Sequence, residues 1–163
     1  MRNLTHHPSH GSSNSLWYWY KAKNPLIVIF NFAIIYTAKV LPSLRLKNFL
    51  YRLTGMKVGK NVSFGLCSMV DIFFPELIEI EDNCILGYNS VLLSHEFLID
   101  EWRTGRVKIG KNVVIGANCT VLPGVTVGDN SIVSAMSLVN KDVPPNTFAG
   151  GVPVKRIKKV GRK

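Results

Sequence analysis

Residues Ile109 to Pro144 read IGKNVV IGANCT VLPGVT VGDNSI VSAMSL VNKDVP, six blocks of six with no gap between them. Upstream, Val58 opens VGKNVS FGLCSM VDIFFP and Ile80 opens IEDNCI LGYNSV, which brings the total to eleven blocks in one pattern. A fixed short period of this kind decides the architecture before any other feature of the chain. Most blocks begin with an aliphatic residue and carry a small or aliphatic one fifth. The fifth position and the next first position are therefore two apart and share one face of an extended strand. Glycine often follows the aliphatic residue, and asparagine recurs fourth, at Asn61, Asn83, Asn89, Asn112, Asn118 and Asn130. Both residue types tolerate left-handed or otherwise tight backbone geometry, so each block is a short strand ending in a turn.

Short parallel strands stacked at about 4.8 Å, with a turn in every block, wind into a parallel β-helix with an aliphatic interior. A three-sided prism is the natural closure. Ile115, at a first position, is expected inside it. Cys84 and Cys119 take fifth positions and are expected there too, as small core residues. Cys67 is less regular. Three cysteines without a CxxC pair argue against a disulfide framework or a cysteine-rich zinc site and favour a reducing compartment.

At 163 residues the chain is one domain, and 47% apolar against 18% charged residues fills a core rather than a disordered chain. The net charge of +10 collects at the ends. No acid precedes Asp71, while Arg2, Lys21, Lys23, Lys39, Arg45, Lys47, Arg52, Lys57 and Lys60 do. Lys155, Arg156, Lys158, Lys159, Arg162 and Lys163 crowd the C-terminus. Such ends attract nucleic acid, an anionic membrane or a phosphorylated ligand. Acids between Asp71 and Asp82 interrupt any basic stripe along the repeat, which excludes a nucleic-acid module.

Three segments result. Residues 1–15 are polar, hold His6, His7 and His10, and read as a mobile tail rather than a metal site. Residues 16–55 read as a helical segment: a stretch from Leu26 to Leu41 too short to span a membrane is closed by Pro42. A second helix there is capped by Ser43, carries Leu46, Phe49, Leu50 and Leu53 at helical spacing, and stops at Gly55. Aromatic and basic flanks suit a membrane interface, and a cap over the core is the other reading. Residues 56–163 hold the repeat, a loop over 93–106 and the basic end.

That loop, SHEFLIDEWRTGR after Leu93, is the one break in register, and a break in a solenoid protrudes where function tends to sit. His95 opens it and is the only histidine outside the tail. The blocks from Val58 to Lys159 resemble the hexapeptide-repeat, left-handed parallel β-helix acyltransferases. KDVPPNTFAGGVPVKRIKK, Lys141 to Lys159, is similar to the exit of the maltose and galactoside O-acetyltransferase branch, where a KD-[IV]-PPN turn precedes a G-x-P strand and a basic end. The resemblance implies acetyl-CoA as acyl donor and a catalytic histidine where LLSH places His95.

Acyl transfer to a hydroxyl needs a base near neutrality, and imidazole suits that role. The second ring nitrogen needs a partner, either a backbone carbonyl or a loop carboxylate, with Glu96 and Glu101 as candidates. Arg103 and Arg106 compete for both acids. The resemblance further implies a homotrimer with shared active sites and direct transfer without an acyl-enzyme. Pantetheine would run near Ser134, Ala135 and Lys141, and Lys155 and Lys158 would meet the phosphates where the family typically has Arg. Val114 departs from the branch, which carries Trp in an NVWIG segment beside the acyl group. An acceptor pocket would draw on Asp71, Tyr88 and Trp102. Asp71 also fits the repeat itself, and Trp102 stacks on a sugar or anchors the loop.

The expectation is an acetyl-CoA-dependent O-acetyltransferase with no metal requirement, acting on a saccharide-like or envelope-related hydroxyl. It would be cytoplasmic, with the inner membrane face as the place of any lipid contact. A zinc anhydrase on this scaffold needs three histidines, and the repeat holds one. A serine-type acetyltransferase would bring a long acidic helical domain in place of the short basic segment. A non-catalytic, membrane-associated trimeric scaffold is the remaining rival.

Overall fold

The computed structural model describes residues 2–161; Met1, Arg162 and Lys163 lie outside the described residues. The protein is mainly β, preceded by helices α1 (Trp19–Ala22), α2 (Pro25–Val40) and α3 (Leu44–Leu53). From Lys57 onward successive short strands visit three parallel sheets in rotation. The first holds Lys57–Val58, Ile78–Ile80, Val107–Ile109 and Thr126–Val127. The second holds Ser63–Phe64, Ile85–Leu86, Val114–Ile115, Ile132–Val133 and Thr147–Gly150, and the third Met69–Val70, Val91–Leu92, Thr120–Val121 and Leu138–Val139. In every pairing the first residues of the blocks align, as in Val58 with Ile80 or Leu86 with Ile115.

The hexad pattern explains this architecture directly. First-position residues such as Val58, Ile80, Ile109, Ile115, Val121, Val127, Val133 and Val139 are buried in one core, together with fifth-position Val113, Cys119 and Val125. The fourth-position asparagines take the left-handed turn conformation that their short polar side chains tolerate, with φ between 52° at Asn89 and 60° at Asn83. Their amides also form ladders: Asn83 Nδ2 donates to Asn112 Oδ1 at 2.7 Å, and Asn89 Nδ2 donates to Asn118 Oδ1 at 2.9 Å.

Backbone hydrogen bonds link the layers in both senses: turn residues donate back to the layer before, as Asn83 N–H does to Lys60 O at 2.8 Å, and groups in and beside the strands donate forward. The N–H groups of Gly59, Ser63, Gly65 and Met69 donate to the carbonyls of Ile80, Cys84, Leu86 and Ser90 in the next layer. The equivalent carbonyls of the first layer, on Val58, Val62, Phe64 and Ser68, have no layer beneath them. α3 supplies their donors: Arg52 Nε to Val58 O at 2.9 Å, Asn48 Nδ2 to Val62 O at 2.9 Å, Lys47 Nζ to Phe64 O at 3.2 Å, and Tyr51 OH to Ser68 O at 3.5 Å.

That task turns α3 inside out. Lys47, Asn48 and Tyr51 are buried, whereas Leu46, Phe49 and Leu53 of the expected apolar stripe are exposed and Leu50 is half-buried. An unmet buried carbonyl costs more than an exposed leucine. The helix ends follow the sequence signals. Asn24 Oδ1 accepts from the Leu26 N–H, Ser43 Oγ accepts from the Leu46 N–H, and Gly55 takes a positive φ of 88°. No helix among the described residues is long and apolar enough to cross a membrane.

The mobile tail expected over residues 1–15 is corrected. Thr5–Pro8 forms a strand antiparallel to Glu101–Thr104, and Asn3 N–H donates to Gly124 O at 3.0 Å. Its pattern has no apolar period because the partner, an edge within the 93–106 insertion, supplies the order through tertiary pairing.

Replacing Ile115 by Asp would place an unpaired carboxylate in the core, and we expect a loss of several kcal/mol, about 3 or more, in chemical denaturation. A variant that unfolds with the parent would mean that first positions do not face inward.

Candidate active site

The insertion is a β-hairpin, His95–Phe97 against Glu101–Thr104, with the N-terminal strand as its third member. His95 stands at its base, three residues after Leu92, the end of the third-sheet strand Val91–Leu92. That strand lies on Met69–Val70, with Val70 opposite Leu92, so Asp71 emerges in the layer beneath the insertion. Asp71 is sealed from solvent, and its Oδ2 lies 2.5 Å from His95 Nδ1. The same oxygen accepts from the N–H groups of Ser94 at 2.8 Å and His95 at 3.0 Å. Oδ1 accepts from Phe73 N–H at 2.8 Å and Phe74 N–H at 3.0 Å.

Burial works to raise the Asp71 carboxyl, but the His95 ring and the N–H groups of Phe74 and Ser94 outweigh it and hold it below the usual carboxylate value. An ionised Asp71 makes His95 Nδ1 the protonated nitrogen and leaves Nε2 with its lone pair. Nε2 has no hydrogen-bond partner among the described residues. Three phenylalanine rings wall the imidazole, with centroids at 4.8 Å for Phe73, 4.9 Å for Phe97 and 5.9 Å for Phe74.

Other residues expected at the site lie elsewhere. Glu96 does not reach His95: its carboxylate accepts from Arg2 Nη1 at 2.9 Å and from Arg103 Nη1 at 3.4 Å. Burial alone would raise Glu96, and the two guanidiniums more than offset it. Glu101 is taken by His6, at 2.9 Å, and by Arg103, which together hold its carboxyl low. Arg106 turns away to Glu79, at 3.5 Å.

Asp71 is equally removed from any acceptor role, because all its acceptor capacity faces protein. Trp102 is buried between His7, at 3.9 Å and 15°, and Phe74, at 5.6 Å and 12°, so it anchors the hairpin and presents no face to a sugar. Tyr88 is exposed on the turn between the strands Ile85–Leu86 and Val91–Leu92.

At the basic end, Lys141, Asp142 and Lys155 line a groove of about 170 Å³ together with Val143, Ala149 and Val154. Arg156 lines the same groove, a cation that the spacing alone does not single out. Lys158 lies instead over the Phe148 ring, at 5.8 Å, beside a neighbouring groove. Ser134 and Ala135 form a turn that packs on the layer below, with Gly116 beneath Ala135 so closely that a Cβ there would meet backbone. Cys84 and Cys119 are fully buried, and burial pushes both thiols up.

Residues 106–141 match the family described as bacterial transferase hexapeptide (six repeats), and residues 77–94 match the hexapeptide repeat of succinyl-transferase. The chain is 50% identical over 158 residues to "Putative acetyltransferase YvoF" of Bacillus subtilis, covering 96% of this chain and 91% of the relative. A maltose O-acetyltransferase from Clostridium difficile superposes with a TM-score of 0.67 at 25% identity, covering 85% of this chain and 90% of the other. A galactoside acetyltransferase in complex with coenzyme A gives a TM-score of 0.67 at 24% identity over 84% and 82% of the two chains.

Because the folded-state value of Asp71 is depressed, its contribution to stability is fully present above about pH 4, the ordinary carboxylate range, and is lost as pH falls through the folded value. Denaturation of Asp71→Asn should show a loss of about 2–4 kcal/mol at neutral pH and a flatter acid limb. Parallel acid limbs in parent and variant would show that Asp71 is not the linked group. The chain belongs to the hexapeptide-repeat acetyltransferases.

Proposed function

We propose that the protein is an acetyl-CoA-dependent O-acetyltransferase, built on the left-handed parallel β-helix of its family, in which His95 is the general base and Asp71 its positioning residue. The observation that carries this is the Asp71–His95 pair, with Nδ1 held and Nε2 free. The acceptor hydroxyl gives its proton to Nε2 as its oxygen attacks the thioester carbonyl. The tetrahedral intermediate collapses with cleavage of the C–S bond, and the departing thiolate takes the proton from the imidazolium. Asp71 fixes the tautomer and steadies the cation, as a buried carboxylate does behind other histidine bases. The buried, raised thiols of Cys84 and Cys119 support direct transfer rather than a thioacyl-enzyme.

For the donor, the groove lined by Lys141 and Lys155, with Arg156 added, suits an anionic phosphate. Its apolar lining suits the arm attached to it. Lys158 would serve a second anionic group, and the turn at Ser134 and Ala135 offers backbone to pantetheine. Val114, where the branch carries Trp, would leave more room beside the acyl group.

The acceptor is a hydroxyl of a saccharide-like or envelope-related molecule, with Tyr88 as a contributing side chain. Maltose O-acetyltransferase and galactoside acetyltransferase among the similar structures support a sugar. A homotrimer is supported by the outward row of the second sheet, where Ile85, Val114, Ile132 and Phe148 line up in register. The matching row of the first sheet, Lys57, Glu79, Lys108 and Thr126, is polar. An acetyl-CoA donor and free thiols support a cytoplasmic location.

Thiol release from acetyl-CoA over a panel of hydroxyl and amine acceptors tests the reaction. It should require a hydroxyl acceptor and fall by at least about 100-fold in His95→Ala, the scale for losing a general base. Turnover that survives this change, or demands an amine, would overturn the proposal. In sedimentation the parent should run at three times the 18.2 kDa chain, and Ile132→Asp should run as a smaller species.

A further inference from the structure

α2 is apolar on every side. Its inward stripe is Val28, Asn31, Ile35 and Ala38, and even there Asn31 Nδ2 must donate to Ile72 O, at 3.0 Å. The outward side exposes Leu26 to 75%, Ile29 to 60% and Val40 to 60%, with Ile27, Phe30, Phe32 and Tyr36 about half exposed. α3 packs beside it and, being inside out, adds Leu46, Phe49 and Leu53. A helix apolar all round needs cover on both sides, and a patch this large exceeds what a soluble surface ordinarily leaves open.

The charges around the patch choose its cover. No acid occurs in residues 1–70, and Lys21 on α1, Lys39 on α2 and Arg45 on α3 make no ion pair among the described residues. A second copy meeting the same face would set these cations against their own kind. An anionic headgroup layer complements them instead. Exposed aromatics stand among them, with Trp17 exposed to 70%, Tyr20 to 50% and Tyr36 to 53%, the residue types that favour headgroup depth. The Lys39 ammonium rests 5.5 Å from the centroid of the exposed Tyr36 ring, which sets a cation beside an aromatic of the patch.

We propose that α2 and the outward stripe of α3 lie in the plane of an anionic lipid bilayer, at the boundary between headgroups and acyl chains. With 16 residues, α2 is about 24 Å long and lies along the surface rather than through it. The mode is monotopic. The apolar side chains enter the acyl boundary, and Lys21, Lys39 and Arg45 meet headgroup phosphates.

Flotation of the full chain with vesicles tests this, using phosphatidylcholine alone and phosphatidylcholine with about one third phosphatidylglycerol. Binding to the anionic vesicles should be at least about tenfold tighter and should weaken with added salt. The double variant Ile29→Asp/Phe30→Asp changes only outward positions and should lose at least about tenfold in vesicle binding while keeping its circular dichroism and melting temperature. Three results would overturn the proposal: no flotation with either vesicle, flotation untouched by the double variant, or a fall in oligomer mass in lipid-free buffer caused by that variant. The last would mean that a second copy covers the face.

Discussion

Backbone polarity governs this molecule. In this stack the N–H groups of Gly59, Ser63, Gly65 and Met69 point toward the next layer and the carbonyls that receive them toward the one before, while turn residues such as Asn83 and Asn89 donate in the opposite sense. The first layer therefore presents a row of carbonyls, on Val58, Val62, Phe64 and Ser68, that no layer beneath can meet. The interior layers satisfy one another mainly through backbone, with aspartates closing some turns, as Asp82 Oδ1 accepts from Lys60 N–H at 2.7 Å and Asp129 Oδ1 from Lys111 N–H at 2.9 Å. The ends cannot, and the chain devotes its terminal segments to them. α3 offers Lys47, Asn48, Tyr51 and Arg52 to the first layer. The C-terminal strand Lys155–Lys159 folds back on Thr147–Gly150 in antiparallel pairing at the other end.

The same rule accounts for a helix that contradicts its own pattern. Leu46, Phe49, Leu50 and Leu53 have the spacing of a buried stripe, and in most proteins they would be one. Here burying them would leave four carbonyls without donors, each worth about 1–3 kcal/mol if buried and unmet. Lys47 shows how far the preference goes: burial pushes its ammonium down, yet it is almost wholly enclosed so that it can donate to Phe64 and Gly65. The apolar residues displaced outward are the material of the proposed lipid contact.

The repeat and its core are legible because each hexad is a local rule repeated, and Val58, Ile115 or Asn118 means the same thing wherever it recurs. His95 is legible as the residue that opens the break. What escapes is whatever depends on stacking one break upon another. Asp71 reads as an acidic second position until VDIFFP is laid under VLLSHE, when Val70 falls opposite Leu92 and Asp71 arrives beneath the insertion. Glu96 looks closer in sequence, but strand alternation and the pull of Arg2 and Arg103 turn it elsewhere. The N-terminal strand escapes for a related reason. Thr5 to Pro8 has no intrinsic strand pattern, and its order comes from an edge that exists only after residues 101–104 have folded. Trp102, in turn, needs His7 and Phe74 to become an anchor.

These long-range contacts also bind the helical segment to the chemistry. Trp19 packs edge-on against Phe73 at 5.9 Å, and Lys23, paired with Glu76, sits 4.9 Å from the Phe74 centroid. Phe73 and Phe74 are two walls of the His95 pocket, and their N–H groups hold Asp71. The entry to α2 is thus braced against the elements that set the imidazole, while the outward face of α2 is exposed. A truncation that removes the helices would strip donors from the first layer and loosen the histidine wall at once. Outward point substitutions disturb neither. The face proposed to meet lipid and the face that braces the His95 pocket are opposite sides of one segment, which fixes the hairpin relative to whatever surface the helices rest on.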